Sequence, residues 1–297
     1  MEELVYLEEP ALYKPCLILG FEGWPNAAEV SSFCIDYLVE RTRARKFASI
    51  RPGHFYQTSL SRPIATIREG RVLDLKIPGN HFYYATDCGP QDFIFFRGIE
   101  PHSEWSAFVE LLLRLADRVD GSQILTVGGT YDYVPHSSPP VVSAVFNHDD
   151  LKERIVQAGL SLIEYTGPIS IHTFLLERAK RKGMKVISLW GHAPHYLQAQ
   201  NVKVAHSVVR KVVDLTGMVI DLSDLQERSD LFDRHVNRLM EEDPKLREAI
   251  RNMENLYRQP GVPRPSADQE GELESGENVV TIQAFLKRRD EEEKKES

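Results

Sequence analysis

Three observations predict an α/β fold built on a mixed sheet. Short, continuous apolar runs end in glycine, longer stretches with helical periodicity lie between them, and the two kinds alternate over the first two thirds of the chain. Runs such as Cys16-Leu17-Ile18-Leu19-Gly20 read as strands buried on both faces. A β-α-β unit near the start implies parallel strands joined by a right-handed crossover. Hydrophobic residues make up 42% and charged residues 27% of 297 residues, enough for a core that needs neither disulfides nor metal.

The first strand is Cys16 to Gly20. Pro25-Asn26 then opens a helix through Arg43, with Val30, Phe33, Cys34, Tyr37 and Leu38 on one stripe. Phe47 to Ile50 completes the unit. Ile64 to Arg68 and Val72 to Ile77, joined across Glu69-Gly70-Arg71, read as a hairpin that makes the sheet mixed. Asp92 to Phe96 is the next strand. The helix after it starts near Ser103, with Glu104 suited to the helix dipole and Trp105, Phe108, Leu112, Leu115 and Val119 facing inward. Asp120-Gly121 ends it.

Gln123 to Val127 is another buried strand, stopped by Gly128-Gly129, and Val141 to Phe146 is a β-branched one. A helix from Asp149 and another around Phe174 to Arg181 lead to the strand Lys185 to Leu189. Val204, Ala205, Val208, Val209, Val212 and Val213 mark the last helix of an α/β domain spanning residues 1–220.

Residues 221–258 read as a helical arm. One stripe carries Leu225, Phe232, Val236, Leu239 and Met240, a second carries Leu246, Ile250, Met253 and Tyr257, and Asp243-Pro244 separates them. Residues 259–278, rich in Pro, Gly, Ser and Glu, form a flexible linker. Residues 279–297 combine a short amphipathic helix (Val279, Ile282, Phe285, Leu286) with a charged tail, and linker and tail together read as a partly disordered acidic tail.

With 36 basic against 44 acidic residues the net charge is −8, which argues against nucleic-acid and anionic-membrane partners. No apolar run reaches the roughly 18 residues of a membrane span. The acidic Met1-Glu2-Glu3-Leu4 lacks the positive start of a signal peptide. Cys16, Cys34 and Cys88 cannot all pair within one chain, so a reducing cytoplasm is expected.

The sequence contains no G-x-G-x-x-G after a strand, no Walker A loop, no G-x-S-x-G elbow, no H-E-x-x-H and no C-x-x-C. Polar and glycine-rich loops at the strand carboxyl ends remain, where open α/β sheets bind ligands. Glu22, Trp24 and Asn26 follow the first strand, although Asn26 equally suits a helix N-cap. Glu100 is either a site carboxylate or a loop acid bonding backbone amides. Gly128 and Gly129 permit close backbone approach. His136 lies further on, and His195 and Tyr196 follow the last strand. His192 and His195 flank Pro194, which disfavours the turn that would aim both at a metal, so no metal or cofactor is expected. No serine or cysteine has an evident histidine partner, and no residue is assigned a catalytic role.

In this order the loops resemble the proteasome assembly chaperone 2 family in its bacterial and archaeal form. The carrying residues are Leu19-Gly20-Phe21-Glu22-Gly23-Trp24 with Asn26, His54-Phe55-Tyr56 with Arg62-Pro63, Arg97-Gly98-Ile99-Glu100-Pro101 with Trp105, Pro135-His136, and Ser188-Leu189-Trp190 with Pro194-His195-Tyr196. The similarity runs from about Val5 to Tyr257. It implies a phosphorylase-like three-layer fold, a homo-oligomer (a trimer is favoured), and relatives that act in proteasome assembly rather than catalysis. Ser138 stands where bacterial relatives tend to carry arginine. The end, Lys295-Glu296-Ser297, differs from the hydrophobic-Tyr-any ending of archaeal members that dock on proteasomes, so docking through it is not expected.

The expectation is an oligomeric, assembly-chaperone-like protein without established catalysis, whose partners are its own copies and a further protein. The alternative is an enzyme acting on a small anionic or nucleoside-like substrate in a pocket at the strand carboxyl ends.

Overall fold

The computed structural model of the chain describes residues 3–57, 59–76, 79–242, 247–248 and 250–251. The elements are β1 (Leu4–Tyr6), β2 (Cys16–Glu22), α1 (Val30–Arg41), β3 (Arg45–Ile50), β4 (Ile64–Arg68), β5 (Arg71–Lys76), β6 (Asn80–Ala85) and β7 (Phe93–Ile99). After these come α2 (Trp105–Arg118), β8 (Gln123–Asp132), β9 (Val142–Phe146), α3 (Lys152–Gln157), β10 (Ser161–Leu162), α4 (Ile171–Arg181), β11 (Val186–Pro194), α5 (Val202–Thr216) and α6 (Ser223–Glu242).

Nine strands join in the order β1-β3-β6-β7-β2-β8-β11-β9-β10. The four central strands, β7, β2, β8 and β11, are parallel to one another. Antiparallel neighbours flank them, β6 on β7 and β9 on β11. The crossover from β2 through α1 lands on β3, beyond β7 and β6.

Alternate residues of the central strands feed two cores, because successive side chains point to opposite faces. Ile18, Phe95, Leu125 and Leu189 pack under α1 and α5, against Cys34, Leu38, Val204 and Val208. Leu17, Leu19, Phe96 and Ile124 pack under α2 and α4, against Phe108, Leu112 and Leu175. The result is a three-layer α/β/α body. Cys16 and Cys34 are fully buried, and burial pushes the Cys16 thiol up to about 12.

Helix α6 lies on α5. Its start is tied down by Tyr37 Oη, which donates to Asp224 Oδ1 at 2.8 Å, and by Arg41 Nη2, which donates to Asp221 Oδ2 at 2.9 Å. Its stripe is covered by its own chain: Leu225 enters the α1–α5 core, while Val236 and Leu239 pack with Tyr196, Leu197 and Ile250. The rest of the second predicted arm helix, the linker and the amphipathic tail helix lie outside the described residues.

Three sequence expectations need correction. The hairpin β4–β5 does not join the main sheet; its strands pair only with each other. The sheet is mixed because of β6 and β9. The strand β6, Asn-His-Phe-Tyr-Tyr-Ala, escapes notice because its apolar part, Phe82 to Ala85, is short and half tyrosine. Secondly, Gly128-Gly129 does not stop its strand, and the last strand does not end at Leu189: β8 continues to Asp132 and β11, through Gly191, to Pro194. Here glycine marks close packing rather than reversal. A Cβ on Gly129 would lie 2.4 Å from the Ala27 carbonyl oxygen, and one on Gly191 would lie 2.6 Å from Val204 Cγ1. Thirdly, α1 begins at Val30, after a 3-10 turn over Ala27–Glu29 in which Ala28 and Glu29 have φ of 50° and 56°.

Candidate functional site

The carboxyl ends of β2, β7, β8 and β11 lie along one edge of the sheet, as parallel pairing requires. Glu22 and Glu100 sit at the ends of β2 and β7, and the backbone joins them where Glu100 N donates to Glu22 O at 2.9 Å. The strands β8 and β11 run on to Asp132 and Pro194, paired along their whole length. This extension separates the candidate residues into two groups.

The first group surrounds two clefts divided by Glu22-Gly23. One, of about 670 Å³, is bordered by Asn26, Ser32, Asp36, Arg97 and Arg228. The other, of about 560 Å³, is bordered by Trp24, Leu60, Arg62, Ile64, Glu100 and His102. Both fall in the size range of small-ligand sites. Arg97 leaves β7 and bridges two carboxylates, donating from Nη2 to Glu22 Oε1 at 2.6 Å and from Nε to Asp36 Oδ1 at 2.9 Å. Asn26 Oδ1 accepts from Ser32 N at 2.9 Å and its Nδ2 donates to Ser32 Oγ at 3.1 Å, so it satisfies an amide in the first turn of α1 while lining the cleft.

Glu100 likewise faces a cleft and bonds backbone. Its Oε1 accepts from Ile171 N at 2.8 Å, at the first residue of α4, where the helix dipole favours an anion. Burial raises its pKa, and the backbone hydrogen bonds from Ile171 and Trp24 pull the other way. In the same cleft His102 Nδ1 accepts from Gln57 N at 3.0 Å and Nε2 lies 3.3 Å from Ser61 Oγ. Trp24 stands at the lip, 55% exposed, its ring edge toward Trp190.

The second group lies under α6. The Tyr196 hydroxyl accepts from His136 N and bonds His136 Nδ1, each at 2.8 Å. His136 is buried, and its Nε2 lies 3.3 Å from Asn237 Oδ1 of α6. Lys203 Nζ donates to the His136 carbonyl at 2.7 Å and pairs with Asp233 Oδ2 at 2.7 Å. His195 N donates to Asp132 O at 3.1 Å, and its ring lies against Tyr133 with centroids 4.5 Å apart. These contacts fasten the loop after β8 to α5 and α6. Gly128 and Gly129 border neither cleft; the former faces His172 and Trp190, the latter Ala27 and Val30.

The sequence reading missed Arg97 and Asp36 as a pair, and it found no histidine partner for any serine. The structure supplies one. His192 Nδ1 lies 2.7 Å from Asp132 Oδ2 and Nε2 lies 2.8 Å from Ser143 Oγ, the connectivity of an acid–histidine–serine relay. Ser143 is fully buried, however, so no substrate reaches its hydroxyl, and the trio serves to bond β8, β11 and β9 together. Only the continuation of β8 and β11 past their glycines brings these residues together, so no local signal announced them. Among the described residues no group of three or more His, Cys, Asp or Glu is placed to hold a metal, and no helix is long and apolar enough to cross a membrane.

Replacing Arg97 with methionine leaves Glu22 and Asp36 facing each other without their shared cation. A loss of about 1–2 kcal/mol is expected, modest because both carboxylates keep water contact. Urea denaturation reads it directly, and an unchanged midpoint would show that the bridge is not a fastening.

The chain is thus a three-layer α/β/α protein with two clefts at the carboxyl edge of its parallel strands. The model of the PAC2 family matches residues 20–240, and the chain belongs to that family. Solved structures agree in fold. A PAC2 family protein from Streptomyces avermitilis is 26% identical over 76% of this chain and 95% of its own, with a TM-score of 0.70. A proteasome-assembly chaperone homologue from Mycobacterium tuberculosis is 23% identical over 78% of this chain and 98% of its own, with a TM-score of 0.71. An archaeal proteasome activator from Pyrococcus furiosus is 24% identical over 80% of this chain and 97% of its own, with a TM-score of 0.63. No curated protein matches the chain.

Proposed function

We propose that the protein is a cytoplasmic, self-associating assembly protein, trimeric by preference, that receives a segment of a protein partner at the carboxyl end of β2 and β7. One observation carries the reading. The two acids that divide and floor the clefts have partners in the chain, Glu22 with Arg97 and Glu100 with two backbone amides, while the aromatic and apolar residues at the lip are exposed. Trp24, Leu60 and Ile64 border one cleft, and each has more than half its surface free. An exposed tryptophan beside a cleft is the chemistry of a protein-binding anchor. Relatives named as a proteasome-assembly chaperone homologue and a proteasome activator point to barrel-shaped proteases as the partner class.

A second reading rests on Glu100, whose pKa burial raises, beside His102 and Ser61 in the same cleft. Such a cluster fits an enzyme acting on a small anionic or nucleoside-like substrate.

Co-sedimentation of the purified chain with proteasome core particles separates the two. Binding by the wild type, weakened at least about tenfold by Trp24→Asp, is expected for an anchor residue. Equal binding by the variant, or none by the wild type, would overturn the partner reading.

A further inference from the structure

The hairpin β4–β5 is an arm with one apolar face. Its register sets Ala65 opposite Leu75 and Ile67 opposite Val72, so these four share one side, while Thr66 with Asp74 and Arg68 with Arg71 share the other. Residues 64–68 and 71–75 are all exposed, and Ile67, Val72 and Leu75 each keep more than half of their surface open. A two-stranded hairpin is at best marginally stable in water. Whatever covers this face therefore also holds the arm together.

The same sequence carries an apolar stripe of matching size. Val279, Ile282, Phe285 and Leu286 recur at helical spacing. A helix over residues 279–286 would be about 12 Å long, and β4 is about 17 Å long, so the one lies within the length of the other. So short a helix is no more stable alone than the hairpin. Each supplies the cover that the other lacks.

Reach favours the arm of the same molecule. Ile250 is 2% exposed and packs with Tyr196 and Leu197, just past the carboxyl end of β11. Ile64, at the base of the arm, borders the cleft at the ends of β2 and β7. In the strand order β7-β2-β8-β11 the outer two are three spacings apart, about 15 Å. A flexible chain with the length of residues 259–278 spans about 22–27 Å. Such a tether holds the stripe near the arm at an effective concentration in the mM range, on the order of a thousandfold above that of a second copy in dilute solution.

Charge runs the same way. The arm and its base carry Arg62, Arg68, Arg71 and Lys76 against Glu69 and Asp74. Residues 268–278, which lead into the stripe, carry Asp268, Glu270, Glu272, Glu274 and Glu277 with no Lys or Arg. Lys287, Arg288 and Arg289 follow the stripe, and Asp290 and three glutamates follow them. An acidic approach to a basic arm is the complementary arrangement.

We propose that residues 279–286 fold as an amphipathic helix on the apolar face of the β4–β5 arm of the same chain. The contact requires neither the partner nor the self-association proposed above.

Hydrogen exchange on the full chain tests it, with two double variants, Ile67→Asp with Leu75→Asp on the arm and Ile282→Asp with Phe285→Asp on the tail. Thermal melting confirms that each variant keeps the folded body. In the wild type the amides of residues 279–286 are expected to exchange at least about tenfold more slowly than in a free peptide of the same sequence. The arm variant should remove that protection. The tail variant should speed exchange in the arm by a similar factor, because two sides of one contact are lost together. Both effects should persist over a roughly hundredfold dilution, since a contact within one chain does not depend on concentration. Free-peptide exchange of residues 279–286 in the wild type would overturn the inference, and so would arm exchange that ignores the tail variant. Protection that fades on dilution would assign the cover to a second copy and would overturn it as well.

Discussion

Gly129→Ala is expected to lower stability by about 3 kcal/mol, near the upper end for forcing a carbon into a packed core. The added Cβ would lie 2.4 Å from the Ala27 carbonyl oxygen and 2.9 Å from Val30 Cβ, closer than carbon atoms approach without movement of the backbone. Neither neighbour can swing aside. Gly129 N donates to Pro25 O at 2.9 Å, and Gly129 forms a parallel bridge with Asn26, so the turn before α1 is bonded to the strand that would push it away. In a domain of this size about 3 kcal/mol corresponds to a fall in melting temperature of roughly 6–12 °C. Gly183→Ala is the control. It has φ of +71° but open space around its Cβ, so only about 1 kcal/mol of backbone strain is expected. Calorimetry that ranks the two variants equally would show that the close approach of turn to strand is not what Gly129 provides. A large loss would also affect Asn26 and the cleft that it lines, because the same turn positions both.

Acid is expected to destabilise the protein well above the pH at which carboxylates titrate. His172 is fully buried at the start of α4, with Nδ1 3.3 Å from Ser188 Oγ, and desolvation pushes its pKa from 6.5 down to about 3. Between those values the unfolded chain holds a proton that the folded chain refuses. Stability therefore falls as pH falls, by about 1.4 kcal/mol per unit, or about 2 kcal/mol from pH 6.5 to 5. His81 and His206 add to the same trend. Burial lowers both, with help from Lys46 and Arg97 at His81 and from Arg210 at His206, where Asp230 opposes. Glu100 opposes it, because its raised pKa lets the folded state take up a proton first. Urea midpoints at pH 7 and pH 5 should differ in the wild type by more than in His172→Leu, with about 2 kcal/mol between the two responses. The same pH dependence in both would show that His172 is not the group excluded from protonation.

The elements with continuous apolar runs were legible, and so was the family. Cys16 to Leu19, Phe93 to Phe96 and Ile124 to Val127 announce buried parallel strands because both faces of the sheet are covered. The strand β6 was not, since its apolar part is only Phe82 to Ala85, two of the four being tyrosine. The glycines were misread for a physical reason: in one sequence, glycine that ends a strand and glycine that admits a helix look alike. That misreading hid the extension of β8, as ending the last strand at Leu189 hid that of β11, and with them the separation of His136, His195 and Tyr196 from Glu22 and Glu100. Pairs such as Arg97 with Asp36 or His192 with Ser143 lie 61 and 49 residues apart, and only the topology brings them together.

Sedimentation of the purified wild-type chain over a wide dilution series tests most directly whether the protein works by association. A particle of several chains, three by preference, that persists on dilution is the expected result. A particle of single-chain mass at every concentration would contradict it.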